Sequence, residues 1–167
     1  MDNLHSPELD PLDLSRQQTR QRWMAVLANA SETSIEKALL PYNTLPSYHY
    51  LRAPEIGLTM VRGRAGGTGE PFNLGEITLT RCVVQLDETV GDRTISGFGY
   101  VAGRSQRHAE LAAICDALLQ HPTWRQMIYQ QVVTPLAIAA QQRQAKENRQ
   151  TDATQVNFLT MLRGEVS

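Results

Sequence analysis

The stretch Arg62-Gly63-Arg64-Ala65-Gly66-Gly67-Thr68-Gly69-Glu70 has the composition of an anion cradle. Backbone N–H groups in a glycine loop can converge on a phosphate, and flanking guanidinium groups would reinforce the site. A nucleotide-binding P-loop, however, requires a lysine after its last glycine, and no lysine lies between Lys37 and Lys146. A wide turn between two strands accounts for the same residues, with at least one of Gly66, Gly67 and Gly69 at positive φ. Arg64, Arg81 and Arg104 lie on or beside the strands around this turn. Brought to one sheet edge, they would accept either a triphosphate or a carboxylate from a partner, and the interface role is favoured.

Other chemical patterns are weaker. His108-Ala109-Glu110 followed by Cys115 is half of a zinc-deaminase pattern, and the paired-cysteine half is missing from the sequence. The four histidines (His5, His49, His108 and His121) show no ligand spacing. His108 therefore reads first as a residue in the opening turn of a helix, with a ligand or base role as the alternative. Asp116, eight residues later on nearly the same helix face, leaves a polar pair with His108 open. Gly97-Phe98-Gly99 followed by Gly103 misses the dinucleotide fingerprint by one residue. Ser105 lacks the glycines of a nucleophile elbow, and no carboxylates stand out as an acid/base pair. The expectation is a chain with no catalytic residue, no metal and no cofactor of its own.

The elements that would position these residues follow from period and punctuation. Residues 1–14 carry two prolines and four acids and read as a mobile acidic arm. Ser15 and Gln18 form a capping pattern for a helix that buries Trp23, Val26, Leu27 and Ala30. Thr33 and Glu36 repeat the cap for a short helix to Leu40, where Pro41 stops it. Ser47 to Arg52 and Leu58 to Arg64 are expected as strands around a turn at Ala53 to Gly57. Ile77 to Leu86 is the clearest strand, Glu88 to Asp92 a turn, and Thr94 to Val101 a returning strand weakened by Gly97 and Gly99. A helix from Ser105 buries Leu111, Ile114, Cys115, Leu118 and Leu119 and ends at Pro122. A helix over Trp124 to Val133 and another from Thr134-Pro135 to about Lys146 follow. Alternation at Val156, Phe158, Thr160 and Leu162 predicts a last strand over Thr154 to Leu162. The class is α+β: an antiparallel β-meander packed with N-terminal and C-terminal helices, plus a final C-terminal strand, in a single domain over residues 15–165.

Bulk composition narrows the functional classes. The 167 residues are 41% hydrophobic and 20% charged, with a formal charge of −1. That balance argues against electrostatic capture of nucleic acid or of an anionic membrane. No apolar run approaches the ~20 residues of a membrane span, and the acidic start is unlike a secretory signal. Cys82 and Cys115 make no disulfide framework, fit the cytoplasm and read as structural thiols. The apolar residues of the last third, Met127 to Ile138 and Phe158 to Leu162, suit either a partner surface or simply a thick core.

The motifs also carry a family resemblance. Trp23-Met24-Ala25-Val26-Leu27-Ala28, Gly66-Gly67-Thr68-Gly69-Glu70 with Phe72 and Gly75-Glu76, and Thr78-Leu79-Thr80-Arg81 come in order. Gly103-Arg104, His108-Ala109-Glu110, Asp116-Ala117-Leu118, and Val156-Asn157-Phe158 with Thr160-Met161 and Arg163-Gly164 follow. Together, from about Arg22 to Glu165, they resemble the small G subunit of the bacterial carbon–phosphorus lyase core complex. The resemblance implies a part in phosphonate degradation. The G, H and I subunits, helped by an L protein, exchange the adenine of ATP for an alkylphosphonate. With methylphosphonate the product is α-D-ribose 1-methylphosphonate 5-triphosphate, and the J subunit later cleaves the carbon–phosphorus bond. It implies H, I and J as partners, ATP as a substrate of the complex, and nucleosidase-like chemistry in the I subunit. A stand-alone arginine-based phosphate- or nucleotide-binding module is the alternative. The acidic start and the tyrosine-rich residues 42–50 depart from the family pattern.

Overall fold

The computed structural model describes residues 11–42 and 44–153. Helix α1 spans Pro11–Asn29, five residues longer at its start than the Ser15 cap predicts. Proline suits a first helical position, where its missing N–H has no partner to lose. Helix α2 spans Glu32–Leu39 and is capped by Ser31, two residues before the expected Thr33. Ser31 is extended, and its Oγ accepts the Ser34 N–H at 3.2 Å.

The chain then forms a three-stranded antiparallel meander in the order β1-β2-β3. Strand β1 is continuous over Tyr48–Arg64, so the expected turn at Ala53 to Gly57 is not formed. Its turn-forming residues are absorbed by bulges. Arg52 pairs with Val83 and Glu55 with Arg81, leaving one extra residue on β1. Pro54 is tolerated there because β1 is an edge strand. Strand β2 runs from Pro71 to Val90, well beyond the Ile77 to Leu86 predicted, and β3 covers Arg93–Ala102. Between β1 and β2 a short 3-10 turn at Ala65–Gly67 puts Gly66 at φ 60 and Gly67 at φ 79. The glycine stretch is thus the hairpin turn, closed by Gly69 N–H donating to Ala65 O at 3.0 Å.

Helix α3 (Gln106–Gln120), capped by Ser105, lies against β3. Its Ala109, Ala113 and Ala117 recur every four residues along one face and are fully buried. Opposite them sit Gly97 and Gly99, where an added Cβ would lie 2.0 Å from Ala113 O and 1.9 Å from Ala109 O. Those glycines do not merely weaken the strand, since they allow helix backbone to touch strand backbone. Helix α4 (Pro122–Ile128) continues through a π turn at Tyr129–Val133 into α5 (Thr134–Ala153). Pro135 explains the wide turn, because proline cannot donate to the preceding turn and its ring would clash there.

The core lies between the sheet, α3 and the other helices. Cys82, Val84 and Leu86 of β2, Leu118 and Leu119 of α3, and Trp23, Leu27, Ile35, Ile128 and Val132 of the other helical segments belong to one buried cluster. Ile128, Val132, Val133 and Leu136 are buried and belong to the core, Ile138 is half exposed, and Phe158 to Leu162 lie outside the described residues. Helix α5 runs to Ala153, past the end expected near Lys146. Among the described residues no fourth strand follows α5. The predicted strand over Thr154 to Leu162 and the arm over residues 1–10 lie outside the described residues.

Because of the close seam, Gly97→Ala is expected to destabilise the fold by roughly 1–3 kcal/mol or more. Gly57→Ala, with nothing within 4 Å, should change stability by less than ~0.5 kcal/mol. Urea unfolding of the two variants measures the contrast.

Candidate functional site

The most concentrated polar chemistry sits where α1, α3 and β3 meet. Asp116, fully buried on α3, accepts hydrogen bonds from two other elements, α1 and β3. Arg20 donates from Nε at 3.1 Å and from Nη2 at 2.6 Å, in the fork geometry that suits a carboxylate. Trp23 Nε1 donates at 2.8 Å, and the Phe98 backbone N–H at 2.9 Å. Gln120 Nε2 adds a longer contact at 3.3 Å. The Arg20 guanidinium also lies 5.3 Å from the centre of the Phe98 ring. Asp116 thus ties the edge strand β3 and helix α1 to α3, and it does not pair with His108.

His108 has a parallel role at the start of α3. It is 7% exposed, and its Nε2 lies 2.8 Å from Leu27 O. A carbonyl can only accept, so this nitrogen carries the proton and donates. Ser105 Oγ accepts the His108 backbone N–H at 3.1 Å and donates to Glu32 Oε2 at 2.5 Å. The favoured helix-turn reading of His108 therefore stands, with its ring fastening α3 to the end of α1.

A second cluster joins β1 to α3. Tyr48 Oη donates to Glu110 Oε1 at 2.8 Å, and Tyr50 Oη donates to the same oxygen. Arg107 bridges Glu110 at 2.9 Å and Glu36 of α2 at 3.1 Å. Burial pushes the Glu110 pKa up, but the bonds from Tyr50, Arg107 and Tyr48 outweigh it and hold the group below 4.5. Burial first, then the Glu110 carboxylate, pushes Tyr48 above its usual range. Beside the cluster is a cleft of about 370 Å³ lined by Leu39, Leu40, Leu45 and Tyr48.

The sequence-predicted arginines do not converge as a set. Arg64 donates to Gly69 O at 3.2 Å inside the hairpin turn. Arg81 pairs with Glu55 at 2.5 Å, nine residues back along β1, a strand distance of ~30 Å. Arg104 follows Gly103, whose N–H donates to Thr78 O at 2.9 Å, so it lies on the order of 10 Å along the sheet from Arg81. Gly66, Gly67 and Gly69 all lie in the hairpin turn. Burial drives Cys82 up to about 11 and Cys115 up to about 12, so both thiols stay protonated at neutral pH. Among the described residues no group of three or more His, Cys, Asp or Glu could hold a metal ion.

A family model described as phosphonate metabolism protein PhnG matches residues 18–164. The chain belongs to the PhnG family. It is 40% identical over 149 residues to the alpha-D-ribose 1-methylphosphonate 5-triphosphate synthase subunit PhnG of Rhizobium meliloti. That match covers 87% of this chain and 90% of the relative. The PhnG-matching region contains Arg20, Trp23, His108 and Asp116, so the whole helix–strand junction lies inside it. Sequence reasoning missed the junction as a unit, although the Arg20 and Trp23 spacing places a fork and an indole donor on one helix face.

In Asp116→Asn an NH2 group takes the place of one carboxylate oxygen, so with Oδ1 kept for Trp23 the Arg20 Nη2 and the Phe98 N–H lose their acceptor and the Arg20 charge loses its counter-ion. Asp116→Asn should cost about 3–5 kcal/mol, read by urea unfolding, whereas Arg64→Gln on the hairpin should cost little. Glu110 predicts a pH effect. Its folded pKa is depressed, so its contribution is present above the ordinary 4.5 and is lost as pH falls through the folded value. The stability gap between the wild type and Glu110→Gln should be widest near neutrality and close in acid.

Proposed function

We propose that the chain is a non-catalytic subunit of the synthase that exchanges the adenine of ATP for an alkylphosphonate. The product would be ribose 1-methylphosphonate 5-triphosphate when the substrate is methylphosphonate. Its partners in this reading are the H, I and J subunits of the carbon–phosphorus lyase core complex, with the L protein in the synthase step. The similarity to a synthase subunit supplies the reaction, and one structural observation supports a subunit role.

That observation is the end of the β1-β2 hairpin. Strand β3 pairs with β2 only from Leu79 onward, so the remainder projects as a two-stranded arm. Ile56 pairs with Thr80, which faces α3, and so Ile56, Leu58 and Met60 continue the core-facing side. Gln106 at the start of α3 already reaches Pro54 O, at 3.1 Å, so the helix begins where the arm leaves the body. Leu58 is 67% exposed and Leu74 62%. A ribbon of two strands is marginal on its own in water, and a partner covering the apolar face would stabilise it.

The localisation expected is the cytoplasm, and no described helix is long and apolar enough to cross a membrane. The stand-alone phosphate-module reading on Arg62, Arg64, Arg81 and Arg104 draws no support, since Arg62 and Arg64 lie at the hairpin end of β1, away from Arg81 and Arg104.

A tagged chain co-expressed with the H, I and J subunits should co-purify at a fixed ratio and restore growth of a deletion strain on methylphosphonate. Leu58→Glu with Met60→Glu should reduce recovery of the partners at least tenfold while leaving the thermal unfolding of the isolated chain intact. A stable monomer that ignores those partners would sink the proposal.

A further inference from the structure

The meander has two edge strands, β1 and β3, and a row of unpaired N–H and C=O groups along an edge is a template for another strand. On β3, side chains occupy those groups. Asp116 Oδ2 accepts the outward Phe98 N–H at 2.9 Å, and Gln120 Nε2 donates to Ser96 O at 2.9 Å. On β1, the stretch from Arg52 to Glu55 is guarded by a bulge, by Pro54 and by Gln106 Nε2, which donates to Pro54 O. Beyond it, Ile56-Gly57-Leu58-Thr59-Met60-Val61 has no charge, no proline and no register shift. Among the described residues no strand pairs with its outer side. The alternation of the ladder tells which groups are free there. Phe98 N–H points away from β2, so Val83, opposite it, and Arg81 turn their backbone toward β1. Thr78 O points the other way and accepts the Gly103 N–H. Leu79 and Ile77 therefore bond Gly57 and Thr59, which leaves the N–H and C=O of Ile56, Leu58 and Met60 facing outward. The same three residues carry exposed apolar side chains.

We propose that residues 56–61 receive a β-strand of a partner subunit by addition to this edge. The strand would be an extended, uncharged segment with apolar residues at alternate positions. The inference rests on the subunit reading above and adds the mode of contact. Backbone groups of the incoming strand would complete the ladder at Ile56, Leu58 and Met60, and its apolar residues would lie beside theirs on one face. Addition at the edge turns a marginal ribbon of two strands into a sheet of three. A second copy of this chain fits the edge less well. Two β1 edges would share a ladder of six residues and leave the apolar faces of both ribbons open, well short of the ~1,200 Å² that a stable interface buries. A strand that belongs to a larger partner pairs with the edge and also brings its own body over Ile56, Leu58 and Met60.

Residue-resolved hydrogen exchange of the isolated chain and of the co-purified complex tests it. In the isolated chain the amides of Ile56, Leu58 and Met60 should exchange about tenfold or more faster than those of Gly57, Thr59 and Val61. In the complex the three outward amides should slow by about a hundredfold or more. Leu58→Pro removes an outward donor and no bond to β2, so it should lower partner recovery about tenfold below Leu58→Ala. If Leu58→Pro fails to fold, the exchange pattern of the wild type still decides. Partners that co-purify while the outward amides exchange as in the isolated chain would pack on the face alone, which overturns edge addition and leaves the subunit reading standing. If no partner co-purifies, the subunit reading fails, and edge addition by a partner fails with it. Protection in the isolated chain that rises with concentration assigns the edge to a second copy, and protection lost on deleting residues 154–167 assigns it to this chain's own end. Either result overturns the proposal.

Discussion

Helix α3 and strand β3 touch backbone to backbone, and the remainder of the molecule is arranged around that contact. It requires Gly97 and Gly99 on one side and the alanines of α3 on the other, since a single methyl would fall within 2.0 Å of a helix carbonyl. Close approach brings the buried Asp116 carboxylate within reach of the outward N–H of an edge strand. Paired to Phe98, Asp116 then needs a positive partner, because an isolated buried carboxylate is costly. Arg20 and Trp23 meet that need and set the position of α1.

The polar residues with catalytic reputations are therefore engaged in architecture. His108 holds a carbonyl of α1, His121 caps α4 through Nδ1 to the Thr123 N–H, and Glu110 gathers two tyrosines and an arginine. Two exposed features lie at the two ends of the long strand β2. One end is an apolar ribbon extending past the body, the other a cleft ringed by arginines. The extended arm and the arginine-lined cleft thus lie at opposite ends of strand β2. Membership of the PhnG family is consistent with this division.

Element types were legible in the sequence wherever local pattern and local chemistry agree. The apolar period of residues 105–120, the Ser105 cap and the antiparallel meander were all readable, and so was the glycine turn, because positive φ is a property of the residue itself. The motif order also carried the family, since spacing is preserved in one dimension. Boundaries were less legible. Ala53 to Gly57 has turn composition yet remains in β1, since pairing to a long β2 outweighs local preference and bulges take up the surplus residues.

Spatial groupings were decided only by the tertiary structure. Arg20 and Asp116 are separated by 96 positions, and nothing in either neighbourhood marks them as a pair. Arg64, Arg81 and Arg104 are grouped in the sequence, but strand length spreads them along the sheet. Arg16, Arg20, Arg93 and Arg125 are scattered in the sequence, but helix packing gathers them. The sequence alone determined which segments become helix or strand and which family they compose, because those depend on neighbours along the chain. Which charges meet depends on where Gly97 and Gly99 let α3 settle, and that is a property of the packed molecule.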